Sequence, residues 1–111
     1  MNTKQLDLGS FEAQASTVAG ILRALANERR LMILCKLVEW GEGNATSLAE
    51  AVGLSQSALS QHLTKMRDEK IVAFRRDSQV FWYRIADPRI EQLLATLHAL
   101  FCAQPKPRSR R

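Results

Sequence analysis

Cysteine and proline are scarce in this chain, with two and three among 111 residues. Cys35 and Cys102 are too few for a disulfide scaffold, and neither stands in a CxxC or Cys/His zinc spacing. No apolar run approaches the roughly 18–20 residues that cross a bilayer, so no membrane partner is expected. Met1 to Ser10 holds Lys4 and Asp7 but no apolar stretch of the secretory kind. A glycine-rich phosphate loop, a paired-carboxylate signature and a Ser/His/Asp arrangement are all missing. The expectation is a small cytoplasmic domain that is not an enzyme and needs no metal or cofactor.

What is present is a folding composition. Apolar residues make up 46% and charged residues 24%, the balance of a globular domain, and the length suits one core rather than two. The net charge of +5 is unevenly spread. Lys106, Arg108, Arg110 and Arg111 crowd the last six residues, and residues 55–84 are net positive, whereas the rest is slightly acidic. A basic segment on a near-neutral body suits a polyanion such as nucleic acid or an anionic surface. A solvated charged face accounts for the same pattern.

Apolar spacing predicts a mostly α (α+β) domain of about five helices and one β-hairpin. Helix 1 is expected over Phe11 to Leu25, with Ala15, Val18, Ala19, Leu22 and Leu25 on one stripe. Asn27 caps helix 2, Glu28 to Trp40, whose face holds Leu31, Leu34, Cys35 and Val38. Thr46 is expected to cap helix 3, Ser47 to Val52, which Gly53 ends. Ser55 caps helix 4, Gln56 to Glu69, with Leu59, Leu63 and Met66 inward. Ile71 to Arg75 and Gln79 to Ile85 alternate like strands around an Arg76-Asp77-Ser78 tip. Asp87 caps helix 5, opened by Pro88, with Ile90, Leu93, Leu94, Leu97 and Phe101 as its stripe. Residues 1–10 are expected to be flexible, 11–103 to form the domain, and 104–111 to be a disordered basic tail.

The segment from Leu48 to Leu63 carries chemistry. A DNA-binding helix-turn-helix needs a small residue at its helix crossing, a turn glycine four residues on, and an apolar anchor six beyond that. Ala49, Gly53 and Leu59 meet all three spacings. The second helix then presents Ser55, Gln56, Ser57, Ser60, Gln61 and Lys65, types that read base edges or bind phosphates. Arg75, Arg76, Gln79 and Arg84 on the hairpin would make a basic wing. His62 suits a phosphate contact or simple packing at the helix edge. Phe74, Phe81, Trp82 and Tyr83 can stack on bases, although alternation turns about half of them into the core.

Arg23-Ala24-Leu25-Ala26-Asn27-Glu28-Arg29-Arg30-Leu31-Met32-Ile33-Leu34 resembles the block that opens the ArsR/SmtB family of bacterial repressors. Leu54-Ser55-Gln56-Ser57-Ala58-Leu59-Ser60-Gln61-His62-Leu63 is similar to the recognition helix of that family. The resemblance spans about residues 15–103. It implies a winged helix-turn-helix homodimer, joined through its first and last helices, that binds a palindromic operator until an effector arrives. Two apolar helices too many for one small core agree with a dimer.

The resemblance also bears on the effector. The metal-sensing branches use a cysteine pair before the recognition helix, or an Asp-x-His with later ligands; Ser47 to Val52 has no cysteine, and Asp87-Pro88-Arg89 lacks the histidine. Cys35 and Cys102 instead resemble the dithiol of the persulfide-sensing, sulfide- and biofilm-associated branch. This implies that reactive sulfur species or oxidants crosslink the pair and relieve repression. In the loop-entropy description such a bridge constrains the chain by roughly 4 kcal/mol, ample against allosteric couplings of about 1–3 kcal/mol. Three other readings remain: a metal-responsive repressor, a constitutive DNA binder with cysteines buried as small apolar residues, and a winged helix kept only for protein interaction.

Overall fold

A computed structural model describes residues 7–102; the expected basic tail and residues 1–6 lie outside the described residues. The order is α1 (Leu8–Leu25), α2 (Glu28–Trp40), α3 (Ala45–Val52), α4 (Gln56–Asp68), β1 (Val72–Asp77), β2 (Val80–Ile85) and α5 (Pro88–Phe101). Five helices and one antiparallel hairpin therefore form a winged helix.

Side-chain caps set most of the helix starts. Asn27 accepts a hydrogen bond from Arg30 N at 3.1 Å, Ser55 from Ala58 N at 3.0 Å, and Asp87 from Arg89 N at 2.9 Å. Each satisfies an amide that the helix itself cannot reach. Two starts differ from expectation for the same reason. Asp7 accepts from Ser10 N at 3.1 Å, so α1 begins at Leu8 rather than Phe11 and includes residues 8–10. Asn44, not Thr46, caps α3 by accepting from Ser47 N at 2.9 Å, and the helix gains Ala45 and Thr46.

The hairpin tip is also tighter than expected. Arg76 and Asp77 belong to β1, Asp77 pairs with Val80, and only Ser78 and Gln79 turn the chain. Ser78 adopts a φ of 59°, the left-handed conformation that two-residue hairpin turns demand. The register sets Val72 opposite Ile85, Phe74 opposite Tyr83 and Arg76 opposite Phe81. Strand alternation then places Val72, Phe74 and Arg76 on one face and Ala73, Arg75 and Asp77 on the other.

The core lies where α2, α3, α4 and the hairpin base meet. Ile33, Leu34, Leu48, Leu59 and Met66 are fully buried there, joined by Ile90 and Leu94 of α5. On α2 the inward residues are Ile33, Leu34 and Leu37, while Cys35 is exposed. The expected stripe thus holds for Leu34, and for Leu31 and Val38, which pack at the margin of the core, but it omits Ile33 and Leu37 and includes Cys35. On α1 only Ala24 and Leu25 are buried. Ala15 is exposed and Leu22 is 51% exposed, and Phe101 of α5 is 78% exposed. Ala15, Leu22 and Phe101 have no cover among the described residues.

Candidate functional site

The helix-turn-helix forms as its spacing demands. Gly53 closes α3 in the left-handed conformation, φ 72°, a backbone that an added side chain would strain. Leu54 N donates to Ala49 O at 2.9 Å, which fixes the turn. Ala49 and Leu59 are buried where α3 and α4 cross. The outer surface of α4 is left to Gln56, Ser57, Ser60, Gln61 and Lys65, all exposed, with Ser55 exposed at its start. The N-terminal end of a helix carries a partial positive charge, so α4 offers both donors and field to a polyanion.

Not every candidate points the same way. Lys65 lines a groove of about 760 Å³ between α1, α4 and the start of α5, shared with Arg30, Lys70 and Arg89. His62 is half-buried. Burial and the neighbouring cations Arg30 and Arg29 lower its imidazole from the usual histidine range, which favours the neutral form. Thr64 and Arg67 are exposed on α4 as well, two positions the sequence reading passed over.

The two wing arginines separate. Arg75 donates from Nε and Nη2 to the Glu42 carboxylate at 2.8 and 2.9 Å, a bidentate ion pair linking the wing to the α2–α3 loop. Gly43 and Tyr83 exchange backbone hydrogen bonds of 3.0 and 2.8 Å beside it. Arg76, one residue on, lies on the opposite face with its guanidinium over the Phe81 ring. Gln79 is exposed at the tip. The Arg75 hydrogen bonds hold the Glu42 carboxyl below its ordinary range, with the Arg75 and Arg84 charges adding to the effect. A carboxyl depressed in the folded state stabilises above its unfolded value and loses that contribution as pH falls through the folded one. Acidification should therefore loosen the wing. Glu42→Gln should do the same at neutral pH, with faster hydrogen exchange at the Gly43 and Tyr83 amides and a nearly unchanged melting temperature. Unchanged exchange would remove the ion pair as a brace.

The cysteines meet across elements. Cys35 sits on α2 and Cys102 at the C-terminal cap of α5, two helices in contact. Both are exposed on the single chain. Partial burial raises the Cys35 thiol above its ordinary value, and the Cys102 thiolate raises it further by repulsion.

The description "Bacterial regulatory protein, arsR family" matches residues 27–73. The HTH-type transcriptional regulator YgaV of Escherichia coli K12 is 38% identical over 96 residues, covering 86% of this chain and 97% of that protein. The chain belongs to the ArsR family. Among solved ArsR-like structures, the transcriptional repressor BigR from Xylella fastidiosa superposes with a TM-score of 0.82 at 36% identity, covering 89% of this chain and all of that one. The antimony-specific transcriptional repressor AntR superposes with a TM-score of 0.74 at 34% identity, covering 79% of each chain.

As an ArsR-family member the chain is a DNA-binding transcriptional regulator and not an enzyme. One structural relative is named as antimony-specific, whereas the names of YgaV and BigR give no effector, so the family alone does not choose the signal. Among the described residues no three of His, Cys, Asp and Glu gather into a metal-binding group. No helix there is long and apolar enough to cross a membrane.

Proposed function

We propose that this regulator is a homodimeric repressor whose operator binding is relieved when reactive sulfur joins Cys35 to Cys102. The observation that carries this reading is the placement of the chain's two cysteines on helices that pack together, one on the DNA-binding body and one at the end of α5. Leu8, Phe11 and Leu22 of α1 and Leu100 and Phe101 of α5 are exposed apolar residues on one chain, which supports pairing with a second copy through these helices. A two-fold axis there would set two α4 helices about one DNA turn apart, matching a palindromic operator. Ser55, Gln56, Ser57, Ser60 and Gln61 would then face the groove, flanked by His62, Lys65 and the wing.

The thiol chemistry closes without an outside catalyst. Cys35 ionises reluctantly, so Cys102 is the better first nucleophile. The Cys102 thiolate attacks the outer sulfur of an organic persulfide, forming a Cys102 persulfide and releasing a thiol. The Cys35 thiolate then attacks the inner sulfur, forming the Cys35–Cys102 disulfide and releasing hydrosulfide. The cysteines lose two electrons and the persulfide sulfur gains them. A bridge between α2 and α5 would change how the recognition helices are spaced.

The test starts from a DNA duplex enriched from a random library on the reduced protein. Fluorescence anisotropy at fixed salt then compares reduced protein, protein treated with glutathione persulfide, and protein given zinc or antimonite. The reading expects release by persulfide and recovery with dithiothreitol. Release only by zinc or antimonite would replace it with a metal-responsive repressor, and binding indifferent to all of them would leave a constitutive DNA binder.

A further inference from the structure

Four side chains form a continuous stack from the recognition helix to the wing tip. The Arg67 guanidinium, on the last turn of α4, lies 5.3 Å from the centre of the Phe74 ring. Phe74 stacks on Phe81 with ring centres 4.7 Å apart and planes within 4°. The Arg76 guanidinium covers Phe81 at 5.7 Å. Cations bind the negative face of an aromatic ring, and stacked rings in a sheet are matched by register. Here the register supplies the match, because Phe74, Phe81 and Arg76 share one face of the hairpin.

We propose that Arg67, Phe74 and Phe81 are positioning residues that hold Arg76 as the phosphate contact of the wing, at a fixed offset from α4. The proposal rests on the DNA-binding reading above and adds a division of labour within the wing. Arg75 is neutralised by a bidentate carboxylate and braces the wing to the body. Arg76 is exposed and has no carboxylate partner among the described residues. Its Nε donates to Ser78 O at 3.0 Å, which fixes the plane of the guanidinium and leaves both terminal nitrogens to donate outward. A planar fork held in this way suits bidentate phosphate binding.

A two-stranded hairpin is marginal by itself, and its tip would sample many positions unless side chains tied it down. The core reaches only the hairpin base, where Val72 and Ile85 are buried. Beyond it the strands become exposed, and the stack spans this stretch. Arg67 makes the tie specific, because it belongs to the helix that would enter the groove.

Salt dependence separates positioning from mere stability. Log affinity falls linearly with log salt, with a slope of about 0.9 for each phosphate neutralised. Using the duplex enriched on the reduced protein, Arg76→Gln should flatten the slope by about 0.9 for each wing that loses its phosphate. Phe81→Leu should flatten it equally, and the double variant no further, because both remove the same contact. Phe81→Tyr keeps the ring and should keep the slope; Arg67→Met should move it part of the way. Weaker binding by Phe81→Leu at an unchanged slope would make the stack structural only and overturn the proposal. Failure to enrich any duplex would instead remove the DNA-binding reading itself.

Discussion

Replacing Cys102 by serine should abolish release of DNA by glutathione persulfide while leaving the affinity of the reduced protein within about twofold of wild type. Cys102 lies at the far end of α5, away from α4 and the wing in sequence, and caps its helix through its backbone amide, which donates to His98 O at 2.8 Å. A serine keeps that hydrogen bond and removes only the sulfur chemistry. The size of the lost effect follows from allosteric couplings, which typically change affinity about 5–150-fold. Cys35→Ser should block release too, for a different reason. With Cys102 as first nucleophile, the Cys35→Ser protein should still take up one sulfur atom, stopping at a Cys102 persulfide. The Cys102→Ser protein should take up sulfur more slowly at neutral pH, because partial burial disfavours the thiolate of the remaining Cys35. Mass spectrometry of the two treated variants reads this order directly. Sulfur uptake by Cys102→Ser but not by Cys35→Ser would reverse it, and release that survives in both variants would remove the dithiol as sensor.

Short-range signals in the sequence were the legible ones. Asn27, Ser55 and Asp87 each cap an amide two or three residues away, so residue type and spacing suffice to place those helix starts. The Ala49, Gly53 and Leu59 spacing likewise determined the helix-turn-helix, and the exposed residues of α4 followed from it. What escaped depends on partners distant in the chain. Arg75 pairs with Glu42 across 33 residues, and nothing local distinguishes Arg75 from Arg76. Their separation turns on the hairpin register, and a tip begun two residues too early places Arg76 and Asp77 in the turn. A strand then loses its alternation at the residues where it matters, because each strand position faces opposite to the next. The α2 stripe was right in part, with Leu34 in the core and Leu31 and Val38 against it. Leu31, Leu34, Cys35 and Val38 fit a helical period, but Ile33 and Leu37 fit one too, and only packing against α3 and α4 chooses between them. That choice leaves Cys35 exposed and available to Cys102.

Leu59 and Ser60 are neighbours on α4, and their alanine variants should separate folding from recognition. Leu59 is fully buried at the α3–α4 crossing, whereas Ser60 is exposed on the outer surface. Truncating a buried leucine typically costs about 2–5 kcal/mol, because the cavity left behind collapses only in part. Against a total stability of roughly 5–15 kcal/mol that is a large share. For a domain of this size each kcal/mol lowers the melting temperature by about 4–8 °C. Leu59→Ala should therefore melt roughly 10 °C or more below wild type by circular dichroism, compared at equal protein concentration because dimerisation shifts the midpoint. Ser60→Ala should stay within about 0.5 kcal/mol of wild type and still bind the enriched duplex more weakly, since its hydroxyl is lost from the surface offered to DNA. A small shift for Leu59→Ala would mean that the crossing is held elsewhere, and normal binding by Ser60→Ala would take that position out of the interface. Adjacent residues can diverge this far because one helical step of about 100° carries a side chain from the α3 contact to the face left open for the groove.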